Sequence, residues 1–196
     1  MLQYFIINKP FQVLSQFTST EDKQSLRDYF KVPSDVYPVG RLDYDSEGLL
    51  LLTNDKQVNH LALHPSFAHE REYWVQVEGT ITEEALDQLR NGLTISIDGK
   101  LHRTKPARAI AFAEPPRVPD RNPPIRFRQN IPTSWISLAL TEGKNRQVRR
   151  MTAKTGFPTL RLIRFRIGSL TIEGLLPGEM KELDRNTFYK GAGITR

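Results

Sequence analysis

The chain of 196 residues contains no cysteine. That excludes disulfides and any metal site built on thiolates. It fits a reducing compartment without proving one. No apolar run approaches the ~20 residues needed to span a bilayer. The opening MLQYFIINKP has neither the basic start nor the long apolar core of a secretory signal. The expected address is therefore the cytosol, with no membrane partner. Internal repeats and low-complexity tracts are also missing. With 38% hydrophobic and 26% charged residues, the composition is that of a globular protein rather than a disordered one. The length allows one or two compact domains.

Charge is present in plenty but unevenly spread. Residues 1–100 carry 9 Lys/Arg against 15 Asp/Glu, and residues 101–196 carry 19 against 7. Such asymmetry points to a polyanionic partner met mainly by the C-terminal half. Nucleic acid is the leading class, although a merely basic surface would look the same.

Apolar spacing gives the expected elements. Gln3–Ile7 reads as a first strand, ended by Asn8-Lys9-Pro10 because proline lacks a ladder donor. Ser25–Phe30 reads as a short helix. Leu49–Thr53 is a continuous apolar run, as in a buried strand, and Lys56–Leu63 is helical up to Pro65. Glu72–Glu78 alternates, with Tyr73, Val75 and Val77 on one face. Thr82–Asn91 is an amphipathic helix capped by Thr82 and stopped by Gly92. Leu93–Ile97 and Lys100–Arg103 flank Asp98-Gly99, a two-residue hairpin signal. Ala107–Ala113 and Trp135–Leu140 are strands, separated by the irregular, proline-rich segment 114–132. A long loop of that kind is usually functional or mobile. Asn145–Thr155 is a helix capped by Asn145, followed by strands at Thr159–Ile167 and Ser169–Ile172. Many strands with few helices in this order imply an α+β chain with a mixed, mostly antiparallel sheet flanked by helices and loops.

Three segments carry chemistry. In GRLDYDSEGLLLLTND, Gly40 to Asp55, Asp43 and Asp45 sit in a turn before a buried strand. That is a good mount for a fixed carboxylate, and Arg41 is near enough to neutralise one of them. A solvated acidic turn has equal standing on local sequence. The same acids resemble the opening of a calcium loop. However, Asn54 occupies the place of the bidentate Glu, and a strand rather than a helix follows. His60 and His64 have zinc spacing but lack the Glu of His-Glu-x-x-His. No metal is expected. In EGKNRQVRRMTAKTGFPTLRLIRFR, Glu142 to Arg166, eight basic residues accompany one acid. On a helical wheel Val148, Met151, Thr152 and Thr155 share a face and Arg146 and Arg150 lie roughly opposite. Arg146 and Arg150 suit phosphate; Arg149, nearest the core, suits a half-buried carboxylate. Tyr73 in EREYWV reads first as core; as a functional group it would stack on a base or exchange a proton.

Together these segments resemble the pseudouridine synthase superfamily, and the likeness covers nearly the whole chain. GRLDYDSEGLLLLTND is similar to the motif with the nucleophilic Asp, which falls on Asp43. EREYWVQV is similar to the motif with the active-site Tyr, which falls on Tyr73. EGKNRQVRRM is similar to the motif with the Arg that pairs with the nucleophile, which falls on Arg149 with Arg146 and Arg150 close by. PTLRLIRFRIGSL resembles the segment lining the uracil pocket, including Leu162. The opening FIINKPFQVLSQF also resembles this superfamily. The nearest branch acts on bacterial ribosomal RNA.

The resemblance implies the pseudouridine synthase fold, with one catalytic domain over 1–196 made of two subdomains around a central cleft. It also implies a monomer and no cofactor. Many relatives carry a small N-terminal RNA-binding domain of the S4 type; here the strand leading to Asn8-Lys9-Pro10 starts at residue 3, a departure from which no separate domain of that type is expected. The expected substrate is large-subunit ribosomal RNA or its assembly intermediate. RNA contacts are expected from Arg41, Lys144, Arg146, Arg150, Arg161 and Arg164, with Arg117, Arg121, Arg126 and Arg128 forming an arm in the proline-rich loop. The rival class, a non-catalytic ribosomal RNA-binding factor, explains the basic half but gives Asp43 no role. A methyltransferase is weaker still, since no glycine-rich strand-to-helix turn is present for its cofactor.

Overall fold

A computed structural model describes residues 1–18, 20, 22–63, 69–125 and 131–194. In chain order the elements are β1 (Tyr4–Lys9), a 3-10 turn (Leu26–Asp28), β2 (Tyr37–Val39), β3 (Glu47–Thr53), α1 (Lys56–Leu63), β4 (Arg71–Glu78) and α2 (Glu83–Asn91). Then come β5 (Thr94–Ile97), β6 (Lys100–Arg103), β7 (Arg108–Ala111), β8 (Thr133–Leu140), α3 (Gln147–Lys154), β9 (Thr159–Ile167), β10 (Leu170–Thr171), β11 (Met180–Glu182) and α4 (Arg185–Ala192). The chain divides into two units, Met1–His69 with Ile163–Arg196, and Glu70–Leu162.

In the first unit β3 is enclosed on both edges. Antiparallel β1 lines one edge along its whole length. The other edge is shared between antiparallel β2, at Leu51–Thr53, and residues 163–164 of β9, parallel, at Glu47 and Gly48. Both faces are covered as well. Leu49 and Leu51 join a core with Tyr4, Ile6, Val58, Phe188 and Tyr189, to which α1 and α4 contribute. Leu50 and Leu52 join a second core with Phe5, Ile7, Val13, Leu26 and Phe30. A strand buried on two faces has no polar side to alternate, hence the unbroken leucine run. β11 extends the sheet beyond β1.

In the second unit β4, β8 and β7 form an antiparallel ladder. One core lies on it: Val75, Val77, Ile136 and Leu138 meet Leu86 and Leu89 of α2, Val148 and Met151 of α3, and Leu162 of β9. The β5–β6 hairpin turns through Asp98 (φ 49) and Gly99 (φ 80). Two successive positive φ values are the signature of the turn that Asp-Gly favours.

Several boundaries move. β1 runs on to Lys9, and the helix expected at Ser25–Phe30 is one 3-10 turn, held by reciprocal capping between Ser25 and Asp28. α3 begins at Gln147 with Arg146, not Asn145, at its cap. β2, β11 and α4 were not expected. Of the residues singled out above, His64, Arg126 and Arg128 lie outside the described residues.

Candidate active site

Asp43 stands in the first unit, on the loop between β2 and β3. It opens a turn closed by the Ser46 amide donating to its carbonyl, 3.0 Å. The residues on either side are pinned to the segment after β1. Leu42 donates its amide to the Ser15 hydroxyl at 3.0 Å, and that hydroxyl donates back to the Leu42 carbonyl at 2.8 Å. The Gln12 amide donates to the Tyr44 carbonyl, 2.9 Å. The Asp43 side chain is half-buried and Arg41 is exposed. Behind the turn, β3 and β9 touch backbone to backbone. A Cβ on Gly48 (φ +108) would lie 2.4 Å from the Arg164 carbonyl oxygen, so only glycine fits.

A cation lies beneath this turn. Lys9 is fully buried, and its Nζ donates to the carbonyls of Pro10 and Val13, each at 2.8 Å. Burial pushes its ammonium down to about 7; Glu47 opposes that, Arg164 adds to it, and Asp45 and Asp43 oppose it. A lysine held this way braces the loop that holds Asp43 and places a titrating charge in its field. Sequence reasoning missed both Lys9 and Ser15. The available signal was a lysine closing a mostly apolar strand, YFIINK.

Tyr73 and Arg149 belong to the second unit. Tyr73 lies on β4 opposite Leu138 and packs half-buried against the core. Trp74 points to the other face, edge-on to Phe112 with ring centroids 5.4 Å apart. Arg149 is half-buried on α3 beside the buried Val148. The start of α3 is built from side chains. Arg146 adopts the left-handed conformation (φ 52), and Gln147 turns back. The Gln147 Oε1 accepts from the Lys144 amide at 3.0 Å, and its Nε2 donates to Glu142 at 2.6 Å. Glu142 also accepts from the Lys105 amide, 2.9 Å, and lies 3.1 Å from His102 Nε2. Burial alone would raise the Glu142 carboxyl. The bonds from Lys105, Gln147 and His102 outweigh it and hold the group below the usual range.

The basic residues separate into two groups. Lys144 and Arg146 are exposed. Arg150 donates to the carbonyls of Asn145, at 3.1 Å, and Ser96. Arg161 is buried and donates to the Pro119 carbonyl at 2.9 Å, and buried Arg164 donates to the Leu49 carbonyl at 2.7 Å. These three brace their own chain. Arg121 likewise donates to Pro123, 2.9 Å, and Leu160, 3.4 Å, while Arg117 is exposed. Leu162, expected at a uracil pocket, is buried in the second unit's core.

Residues 3–154 match the family described as RNA pseudouridylate synthase. The chain belongs to that family. It is 48% identical over 178 residues to a protein of Vibrio parahaemolyticus serotype O3:K6 named ribosomal large subunit pseudouridine synthase E, covering 91% of this chain and 72% of that one. A protein of the same name from Xanthomonas axonopodis pv. citri is 46% identical over 174 residues, covering 88% and 89%. The solved structure titled "Crystal structure of pseudouridylate synthase" superposes with a TM-score of 0.77 at 28% identity, covering 97% of this chain and 74% of that one. Asp43, Tyr73 and Arg149 of this RNA pseudouridine synthase all fall inside the matched span. Arg161, Leu162 and Arg164 follow it.

Proposed function

We propose that this enzyme converts a uridine of large-subunit ribosomal RNA to pseudouridine in the cytosol, as a monomer, with Asp43 as its nucleophile. The reaction breaks the N1–C1′ bond, turns the uracil, joins C5 to C1′ and moves the C5 proton off the ring. Nothing is oxidised or reduced, so the chemistry requires no cofactor. An ionised carboxylate serves either of two routes: it attacks C1′ to give an ester, or it takes the 2′ proton to give a glycal. Arg149 is assigned as the cation that favours the charged carboxylate. Tyr73 is assigned to stack on the uracil and assist loss of the C5 proton.

The relatives' printed names support the substrate class. The observation that carries the nucleophile is local. Asp43 begins a turn anchored through both neighbouring residues and backed by a strand buried on both faces. The target base must leave its stack, at a cost of a few kcal/mol. Arg41, Lys144, Arg146 and Arg117, all exposed, are assigned to offset it on flanking phosphates.

The test is Asp43→Asn, assayed on ribosomal RNA from cells lacking the gene. Pseudouridine formation should fall by at least ~1,000-fold, the scale seen when a catalytic group is removed, while RNA affinity stays within about twofold. Retained turnover would remove Asp43 from the role.

A further inference from the structure

We propose that Ser15 is a positioning residue for the reaction: its hydroxyl, clipped to both backbone polar atoms of Leu42, sets where the Asp43 carboxylate stands. The inference rests on the reading of Asp43 as nucleophile.

Leu42 immediately precedes Asp43 and is buried, so its amide and carbonyl cannot turn to water and must find partners within the protein. It lies between β2 and β3, outside both ladders. One hydroxyl does the work of a neighbouring strand. It accepts from the Leu42 amide through a lone pair and donates its single proton to the Leu42 carbonyl. Both peptide planes flanking Leu42 are thereby fixed, and with them the direction in which the chain enters Asp43.

Ser15 is itself immobilised. It is buried, and the residues on each side are tied to the next segment. The Leu14 amide donates to the Gln24 carbonyl at 2.8 Å, and the Leu26 amide donates to the Gln16 carbonyl at 2.9 Å. That segment leads into the 3-10 turn, where the Ser25 amide donates to Asp28 at 2.7 Å. On the far side of Asp43, the Gln12 amide holds the Tyr44 carbonyl. Gln12 does so from a left-handed conformation, φ 56, which a side-chain-bearing residue keeps only when its surroundings enforce it. Asp43 is thus bracketed, at residues 42 and 44, by bonds to one short stretch of chain. Of these two brackets the Ser15 one is made by a side chain, so it can be removed by a conservative substitution.

A bracket of this kind affects the chemical step more than binding, because a carboxylate displaced by about 1 Å can lose on the order of 100-fold in rate. Ser15→Ala should therefore lower kcat by roughly 10- to 100-fold and leave KM and RNA affinity within about twofold. Ser15→Thr and Ser15→Val have the same shape and differ by the hydroxyl, so any crowding is common to both. Thr should exceed Val in kcat by at least about tenfold, the lower end of that range. Equal rates for Thr and Val, or a wild-type kcat in Ser15→Ala, overturn the inference. So does unfolding of both the Ala and Val variants at the assay temperature, followed by circular dichroism, since Ser15 would then serve the fold alone. Asp43→Asn is measured alongside. If it remains active, the nucleophile reading fails and takes this inference with it; if it is dead while Ser15→Ala is normal, only the inference fails.

Discussion

Asp43 and Asp55 stand at the two ends of β3, within one motif, and the fold treats them differently. Asp55 is held by its side chain. It is buried; the hydroxyls of Tyr4 and Tyr189 donate to its Oδ2 at 2.8 and 2.7 Å, and the Gln57 amide donates to Oδ1 at 3.1 Å. Asp43 is held through its backbone, by bonds made to Leu42, Tyr44 and its own carbonyl. The first arrangement joins α4 to β1 and to the start of α1. The second fixes the position of the residue through its main chain. Two acids of one motif are thus fixed in different ways, Asp55 by bonds to its carboxylate and Asp43 by bonds to the main chain around it.

The largest expected consequence is in stability. Asp55→Ala leaves two tyrosine hydroxyls buried without their acceptor and should cost about 2–4 kcal/mol. Asp43→Ala should cost less than about 1 kcal/mol, as for a half-buried loop residue. Urea unfolding of the two variants measures the contrast, and equal losses would erase it.

A pH series sharpens the same comparison. Burial alone would raise the Asp55 carboxyl, but the bonds from Tyr189, Tyr4 and Gln57 outweigh it and hold the group below its ordinary value. A depressed acid contributes stability that is present above its unfolded pKa of ~3.9 and lost as pH falls through the folded value. Tyr4 and Tyr189 are pushed up, first by burial and then by the bond to Asp55. Their contribution is present below the unfolded value of ~10 and lost as pH rises beyond it. Melting temperature should fall at both ends, and Asp55→Asn should flatten the acid limb.

The smallest effect concerns Lys9. Its unfolded pKa is ~10.4 and its folded value about 7, so between these the unfolded state binds more protons. Stability from this group accordingly rises with pH across that window. Chemical unfolding at pH 7 and pH 9 should show the rise in the wild type and not in Lys9→Met. Asp43 is among the charges pulling Lys9 upward. In Asp43→Asn a carbon-13 titration of the Lys9 ε-carbon should therefore shift to lower pH; no shift would mean the two groups are electrically independent.

Elements with strong local signals were legible from sequence. α1, the capped α2 and the Asp-Gly hairpin lie where periodicity and turn chemistry put them. β2 contains Pro38 and has three residues, too few for a period. α4 carries Thr, Phe, Tyr and Gly, poor helix formers, and its signals lie at its ends, Asp184 at the N-cap and Gly193 at the C-cap. At α3 the expected cap Asn145 gives way to Arg146, because Gln147 reaches back to Lys144 and Glu142 and draws the chain into a left-handed step. The Asp43 turn was readable, but its anchor at Ser15 is remote in sequence. Charge alone could not distinguish arginines that face outward from Arg150, Arg161 and Arg164, which donate to carbonyls of their own chain.

The parallel contact of Gly48 with Arg164 bears on how the protein is made. Residues 70–162 form a unit continuous in sequence. The other unit is written in two pieces, and β3 waits for a neighbour encoded far downstream. The segment bearing Asp43 precedes residues 70–162 in the chain, and the neighbour that completes its sheet follows them. Proteolysis of nascent chains arrested at increasing lengths would show when this unit is completed, with full protection of its first piece expected only once the second piece, through α4, has emerged.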